Sequence, residues 1–284
     1  MAMDAELHLG FSRREHMTEC RILQQYPPWK VVRGFERQDG DSLVHLGNVS
    51  GGIFGGDRLR LQARLEQGAH AMITTSGATR IYRPRTSAPE AALECGFSLG
   101  RDAVLEYLPD ALIPYAGARL QQRTVFDLED GAILLCWDVI APGRAAAGEL
   151  FRYERMKLAT EISVCGTQIL NDRLLFEPTR FRPSAPAALD NYRYMVTFIA
   201  IRAGAESTEV RRLERQLAAS GEEMQCQSGI SEELWATTEL PAHGVLVRGA
   251  LRSSLRIPSR LQSLWNAARQ EICGQTAALP RKTY

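Results

Sequence analysis

The chain has 284 residues, 45% hydrophobic and 24% charged, with a formal net charge of +1. That balance suits a folded globular protein and is too neutral for one built to grip a phosphate backbone. No apolar run approaches the ~20 residues of a membrane-crossing helix, and Met1-Ala2-Met3-Asp4-Ala5-Glu6 lacks the basic start and apolar core of a secretory signal, so the expected location is the cytoplasm.

From about residue 20 to 202 the pattern predicts short strands. In chain order these are Arg58 to Leu65, which alternates apolar and polar, then Ala71 to Thr75, Val104 to Leu108, Arg119 to Leu128 and Ala132 to Ile140. Further strands are predicted over Arg155 to Val164, Thr167 to Phe176 and Arg193 to Ile201. Turn residues punctuate them at Gln67-Gly68, Leu99-Gly100-Arg101-Asp102, Pro109-Asp110, Glu129-Asp130-Gly131 and Pro142-Gly143. No helical pattern intervenes, so the body reads as mainly β, not as a doubly wound α/β sheet. Beyond residue 202 the predicted elements are a helix over Thr208 to Ser220, stopped by Gly221, a strand over Val245 to Leu251, and a helix over Pro258 to Cys273 with Gly274 as its cap. Composition does not shift along the chain, and the expectation is one domain over 1–284, a β body followed by a helix–strand–helix part.

Four glycines, Gly51, Gly52, Gly55 and Gly56, surround Ile53 and Phe54 and lead to Asp57. The spacing is neither the dinucleotide fingerprint nor a phosphate-gripping loop, and the run from Leu59 to Leu65 alternates like a strand. A tight crossover between strands is the reading. Ser76 in Thr74-Thr75-Ser76-Gly77 does not fit the hydrolase elbow and is read as a turn. The six cysteines are scattered without a C-x-x-C pair, and the five histidines show no ligating spacing. The 31 arginines against Lys30, Lys157 and Lys282 follow from base composition or from the use of guanidinium at protein interfaces.

Asp138 is the most pointed of the carboxylates. It lies in Ala132-Ile133-Leu134-Leu135-Cys136-Trp137-Asp138-Val139-Ile140, where a period of two puts Trp137 and Val139 on one face and Cys136, Asp138 and Ile140 on the other. A carboxylate on an apolar face is costly unless paired or solvated. Two accounts stand: an arginine partner, with Arg144 and Arg119 as candidates, or a wet internal channel that passes a cation, with Asp57, Glu149 and Asp172 as further carboxylates.

Several segments in order and register resemble one family. They are Gly51 to Asp57, Thr74 to Arg83, Glu106-Tyr107-Leu108-Pro109, Gly117-Ala118-Arg119, Trp137-Asp138, Gly143-Arg144, Gly148-Glu149-Leu150-Phe151 and Leu279-Pro280-Arg281. From about Pro28 to the C-terminus they resemble the D-type urease accessory proteins. The resemblance implies an irregular β-helix-like stack of short strands with two α-helices toward the C-terminus. It also implies a chaperone-like assembly factor without catalysis of its own. Such proteins bind the urease apoprotein with an F-type accessory protein and a G-type, nickel-carrying GTPase, and help deliver nickel to the dinuclear site. No tightly bound cofactor is implied, only nickel in passage. An internal polar tunnel is implied too, with Asp57, Thr79, Asp138 and Asp172 on its wall and Glu149 as a further position. Scattered carboxylates and hydroxyls would hold such an ion weakly enough to let it move. The chain departs from the family at Val49-Ser50, where two prolines are usual, at Arg80, where lysine is commoner, and at Lys282-Thr283-Tyr284; the first 27 residues match poorly. The rival readings are a β-rich hydrolase using Asp138 or Asp57 with an arginine, and a plain scaffold without metal passage.

Overall fold

The computed structural model describes residues 2–37, 39–85, 88–185, 188–228 and 232–275. The chain opens with the hairpin β1 (Asp4–Arg14) and β2 (Met17–Gln25), the short strands β3 (Trp29–Lys30) and β4 (Phe35–Glu36), and β5 (Ser42–Asn48). Circuits of strands come next: β6 (Arg58–Leu65), β7 (His70–Thr75) and β8 (Thr79–Ile81); β9 (Ala91–Leu99), β10 (Val104–Tyr107) and β11 (Leu112–Pro114); β12 (Arg119–Leu128) and β13 (Ile133–Ile140). The chain then runs through β14 (Arg155–Val164), β15 (Thr167–Phe176), β16 (Tyr194–Arg202), α1 (Ser207–Ser228), β17 (Glu233–Glu239), β18 (Gly244–Leu251) and α2 (Ile257–Cys273).

Successive circuits deal their strands alternately to two sheets. The first, of seven strands, runs β15-β14-β12-β9-β6-β1-β2 and is parallel from β1 to β14, with antiparallel strands at its two edges. The second, of eleven strands, has a parallel centre of β5, β7, β10 and β13 and continues antiparallel through β16, β18 and β17. This stacking is the irregular β-helix-like architecture that the family resemblance implies.

Alternation decides what goes where. Leu59, Leu61, Ala63 and Leu65 of β6 and Leu93, Cys95, Phe97 and Leu99 of β9 fill the space between the sheets. The outer face of the second sheet carries a separate core, in which Leu135, Val139, Phe198 and Val247 meet Val210, Leu213 and Leu217 of α1 and Leu261, Leu264 and Trp265 of α2. β13 serves both: Leu134, Cys136 and Ile140 face the first sheet, while Leu135 and Val139 face the helices. The opposed faces expected around Asp138 are therefore present. A buried ion cluster fixes α2 to the strands: Arg269 Nη1 lies 2.6 Å from Glu106 Oε1, and Arg37 Nη1 lies 3.5 Å from Glu106 Oε2.

Several boundaries differ from expectation. Strands begin at Asp4, not near residue 20, and β1, β5, β9 and β17 were not anticipated. The first helix does not stop at Gly221 but runs to Ser228. Gly221 faces β17, where an added Cβ would come within 3.2 Å of the Trp235 Cβ, so this glycine lets the helix sit close to the sheet rather than ending it. The second helix agrees, with Gly274 at φ 65° closing it through its N–H to the Gln270 carbonyl. Among the described residues no helix is long and apolar enough to cross a membrane. The segments Leu279-Pro280-Arg281 and Lys282-Thr283-Tyr284 lie outside the described residues.

Candidate functional site

The glycine segment is a crossover laid flat against β8. The Ile53 N–H donates to the Arg80 carbonyl at 2.8 Å, and the Tyr82 N–H donates to the Ile53 carbonyl at 2.8 Å. At Gly52 a Cβ would lie 2.6 Å from both the Arg80 carbonyl oxygen and the Tyr82 ring, so only glycine permits this approach. Asp57 closes the turn. Its carboxylate accepts from the Phe54 N–H at 2.8 Å and from the Met3 N–H at 2.9 Å, and the residue is buried. Both oxygens serve backbone amides.

Beside this crossover a cavity of about 290 Å³ enters the space between the sheets. Its mouth is formed by Gly51, Gly52 and Asn48 on one side and by Thr75, Ser76, Thr79 and Asp110 on the other; Cys95, Tyr107, Gln122 and Asp138 line its depth. The mouth is braced by hydrogen bonds: Thr75 Oγ1 donates to Asp110 Oδ2 at 3.0 Å and accepts from the Asp110 N–H at 2.8 Å. A second chamber of about 10 Å³ also borders Asp138, its wall formed by Thr124, Thr160 and Thr197 together with the apolar Phe126, Trp137 and Ile199, and both Asp138 and Tyr107 border the two spaces. The smaller one has about the volume that admits one water.

Asp138 is deep in the fold yet keeps partial solvent access through this cavity. Burial drives its carboxyl from the ordinary 3.8 up to about 7; a hydrogen bond from Gln122 opposes the rise, the Asp172 charge adds to it and Arg248 opposes it. Neither Arg144 nor Arg119 is its partner. Arg144 forks onto Glu149 and lies 4.6 Å over the Tyr115 ring, while Arg119 reaches the Ala88 carbonyl and Glu154. Both guanidiniums are engaged elsewhere; the arginine whose charge acts on Asp138 is Arg248, and the carboxylate borders the cavity. Two neighbours are also short of partners: Gln122 Oε1 and Thr124 Oγ1 are buried without a hydrogen bond. Cys95 Sγ lies 4.0 Å from the Tyr107 hydroxyl, and burial pushes its thiol up to about 12.

The four positions suggested for a tunnel wall are thus not equivalent. Thr79 lines the mouth and Asp138 the depth of the same cavity. Asp172 stands beyond the small chamber, 2.5 Å from Arg248 Nη2, with Thr160 as its register partner. Asp57 is absent from the cavity wall, being spent on backbone amides. Glu149 is a surface partner of Arg144, whose hydrogen bond holds its carboxyl below the usual range. Asp57 and Asp138 do not meet in one cavity, so the two-carboxylate pocket a hydrolase would need is not formed by them. Among the described residues no group of three or more His, Cys, Asp or Glu could hold a metal ion. The site offers single oxygen donors in sequence, suited to weak and successive contacts with a hard cation.

Sequence reasoning does not pick out Gln122, Thr124, Thr160, Thr197 and Asp110, which line the two spaces, or Arg248, whose charge acts on Asp138. One signal could have found two of them. The inward face of β12 reads Leu120, Gln122, Thr124, Phe126 and Leu128, so its apolar stripe is broken twice at the level of Asp138.

Comparison with known proteins identifies the family. The family model described as UreD urease accessory protein matches residues 3–284. A protein of Herpetosiphon aurantiacus named urease accessory protein UreD is 35% identical over 99% of this chain and 97% of its own length. Proteins of the same name from Citrobacter koseri, 36% identical over 61% of this chain and 60% of the relative, and from Bacillus sp. strain TB-90, 29% identical over 97% of both, are similar as well. The chain belongs to the UreD urease accessory protein family.

Proposed function

We propose that this chain is a maturation factor for urease that acts without catalytic chemistry of its own. It binds apo-urease together with an F-type accessory protein and a G-type GTPase, in the cytoplasm, and its interior gives nickel a polar route toward the enzyme. Family membership supports the role in urease maturation. The observation that carries the route is the position of Asp138, which borders both a cavity that opens beside the glycine crossover and a small chamber whose wall includes Thr124, Thr160 and Thr197; Thr160 is the register partner of Asp172.

Nickel is the cargo in this reading, so weak binding is an advantage. An ion leaving the mouth hydroxyls meets Asp138 as its first carboxylate inside the fold and keeps much of its water. A closed site of three or four charged or nitrogen ligands would retain it. Deprotonated Asp138 attracts the ion, and the protonated form does not, so passage is expected to weaken below about pH 7.

The test is nickel-dependent activation of apo-urease in the presence of the partner proteins. Asp138→Ala is expected to co-elute with the partners and with apo-urease as the wild type does, and to lose most activation. Full activation by that variant would overturn the route, and failure of the wild-type chain to co-elute with the partners would overturn the assembly role.

A further inference from the structure

Beyond the single carboxylate of the proposed route, the register of the two sheets gathers a polar layer at one level of the fold. In the first sheet Thr124 is paired with Thr160, and Thr160 with Asp172. In the second Asp138 is paired with Thr197, and Thr197 with Arg248. The layer therefore starts at the centre with Asp138 and Thr124 and ends at the sheet margin with Asp172 and Arg248. There the chain closes on itself: Arg248 Nη2 lies 2.5 Å from Asp172 Oδ1, and its Nη1 donates to Thr197 Oγ1.

A guanidinium is a monovalent cation that the chain supplies from its own side chains, and its contacts mark where positive charge is stabilised. Here it rests on a carboxylate and on a hydroxyl of the inner chamber. The chamber side is unfinished, since Thr124 Oγ1 borders it without a partner although the residue is only 2% exposed. Three hydroxyls and a carboxylate at the end of a polar route form a hard oxygen set, the kind that takes a partly hydrated divalent cation. The side chain of Arg248 is 27% exposed, so it can swing outward without crossing a packed core.

We propose that Asp172, Thr160 and Thr197 form a second divalent-cation station at the far end of the passage, held in the resting protein by the Arg248 guanidinium. The ion displaces a built-in cation there instead of entering an open site. Arg248 thereby sets which cations leave: a divalent ion competes for Asp172 more strongly than a monovalent one. The proposal rests on the passage reading for its biological meaning, but the station itself can be measured without urease.

The experiment uses the full chain and Ni²⁺ alone, with binding followed by calorimetry. Arg248→Met removes the resident charge and is expected to bind Ni²⁺ about tenfold more tightly than wild type or better. Adding Asp172→Asn is expected to abolish that gain, and Arg248→Lys to show none. No gain in Arg248→Met, or a gain that survives loss of the Asp172 carboxylate, overturns the station. Should Arg248→Met fail to fold, a crystal of the wild-type chain soaked in Mn²⁺ decides: anomalous density between Asp172 and Thr197 with Arg248 turned outward supports the station, and an intact Asp172–Arg248 pair with no ion overturns it. Normal urease activation by Asp138→Ala would defeat the passage and leave a measured Ni²⁺ gain standing, so the two failures are separable.

Discussion

Two inward-facing carboxylates on neighbouring strands of one sheet have opposite fates. Glu106 of β10 points to the helix side, where it is 3% exposed and sits between Arg269 and Arg37. Asp138 of β13 points to the other side, where its contact is an amide and its surroundings are a cavity. The first is neutralised and sealed, as a buried ion must be when it serves only the fold. The second is left without a contacting guanidinium, which a fold tolerates where water can reach or where the carboxyl keeps its proton. What separates them is the side of the sheet each faces: one side closes on helices with a dry aromatic core, including the Trp137–Trp265 edge contact at 6.5 Å, and the other holds the polar layer. Burial alone does not distinguish these two carboxylates; contacting counter-charge does, with two guanidiniums at Glu106.

The contrast breaks most visibly at the sealed member. Glu106→Ala removes the closest carboxylate from two guanidiniums and is expected to cost about 3–5 kcal/mol of stability, read as a lower denaturant midpoint. A loss under about 1 kcal/mol would mean that the cluster is solvated after all. The unpaired member is expected to behave in the opposite sense. Its folded pKa of about 7 lies above the ordinary 3.8, so the native state holds a proton that the unfolded chain releases, and stability falls as pH rises from about 4 to 7. Asp138→Asn should therefore stabilise the chain above pH 7, by on the order of 2 kcal/mol once cavity water is allowed for, and should have no such effect below about pH 4. A variant that gains stability while losing urease activation would separate function from folding at this residue.

Much of the architecture was legible in the sequence. Arg119–Leu128, Arg155–Val164 and Thr167–Phe176 stand as strands over the expected bounds, because alternation over ten residues is a strong local signal. β9 was readable by the same signal, since Ala91, Leu93, Cys95, Phe97 and Leu99 alternate inward without a break, and its omission has no physical cause in the residues. β17 was missed because an edge strand with Glu233, Thr237, Thr238 and Glu239 has little apolar face to read. At the candidate site Asp138 stood out for a local reason, a charge on an apolar stripe. Thr124, Thr160, Thr197 and Arg248 did not, since each is ordinary in its own strand. They become a layer only through parallel and antiparallel register between strands distant in the chain, which one sequence does not display. Asp57 shows the converse: conspicuous after its glycines, it is used up by two backbone amides once the loop is folded.

The most direct test of the claim that Asp138 is an interior carboxylate without a contacting counter-charge is a ¹³C NMR titration of its carboxyl in the full chain, with and without millimolar Ni²⁺. The expected result is a midpoint near 7 that moves downward when Ni²⁺ is present, because the ion favours the charged form. A midpoint in the ordinary carboxylate range, or one that Ni²⁺ leaves unmoved, would contradict the account.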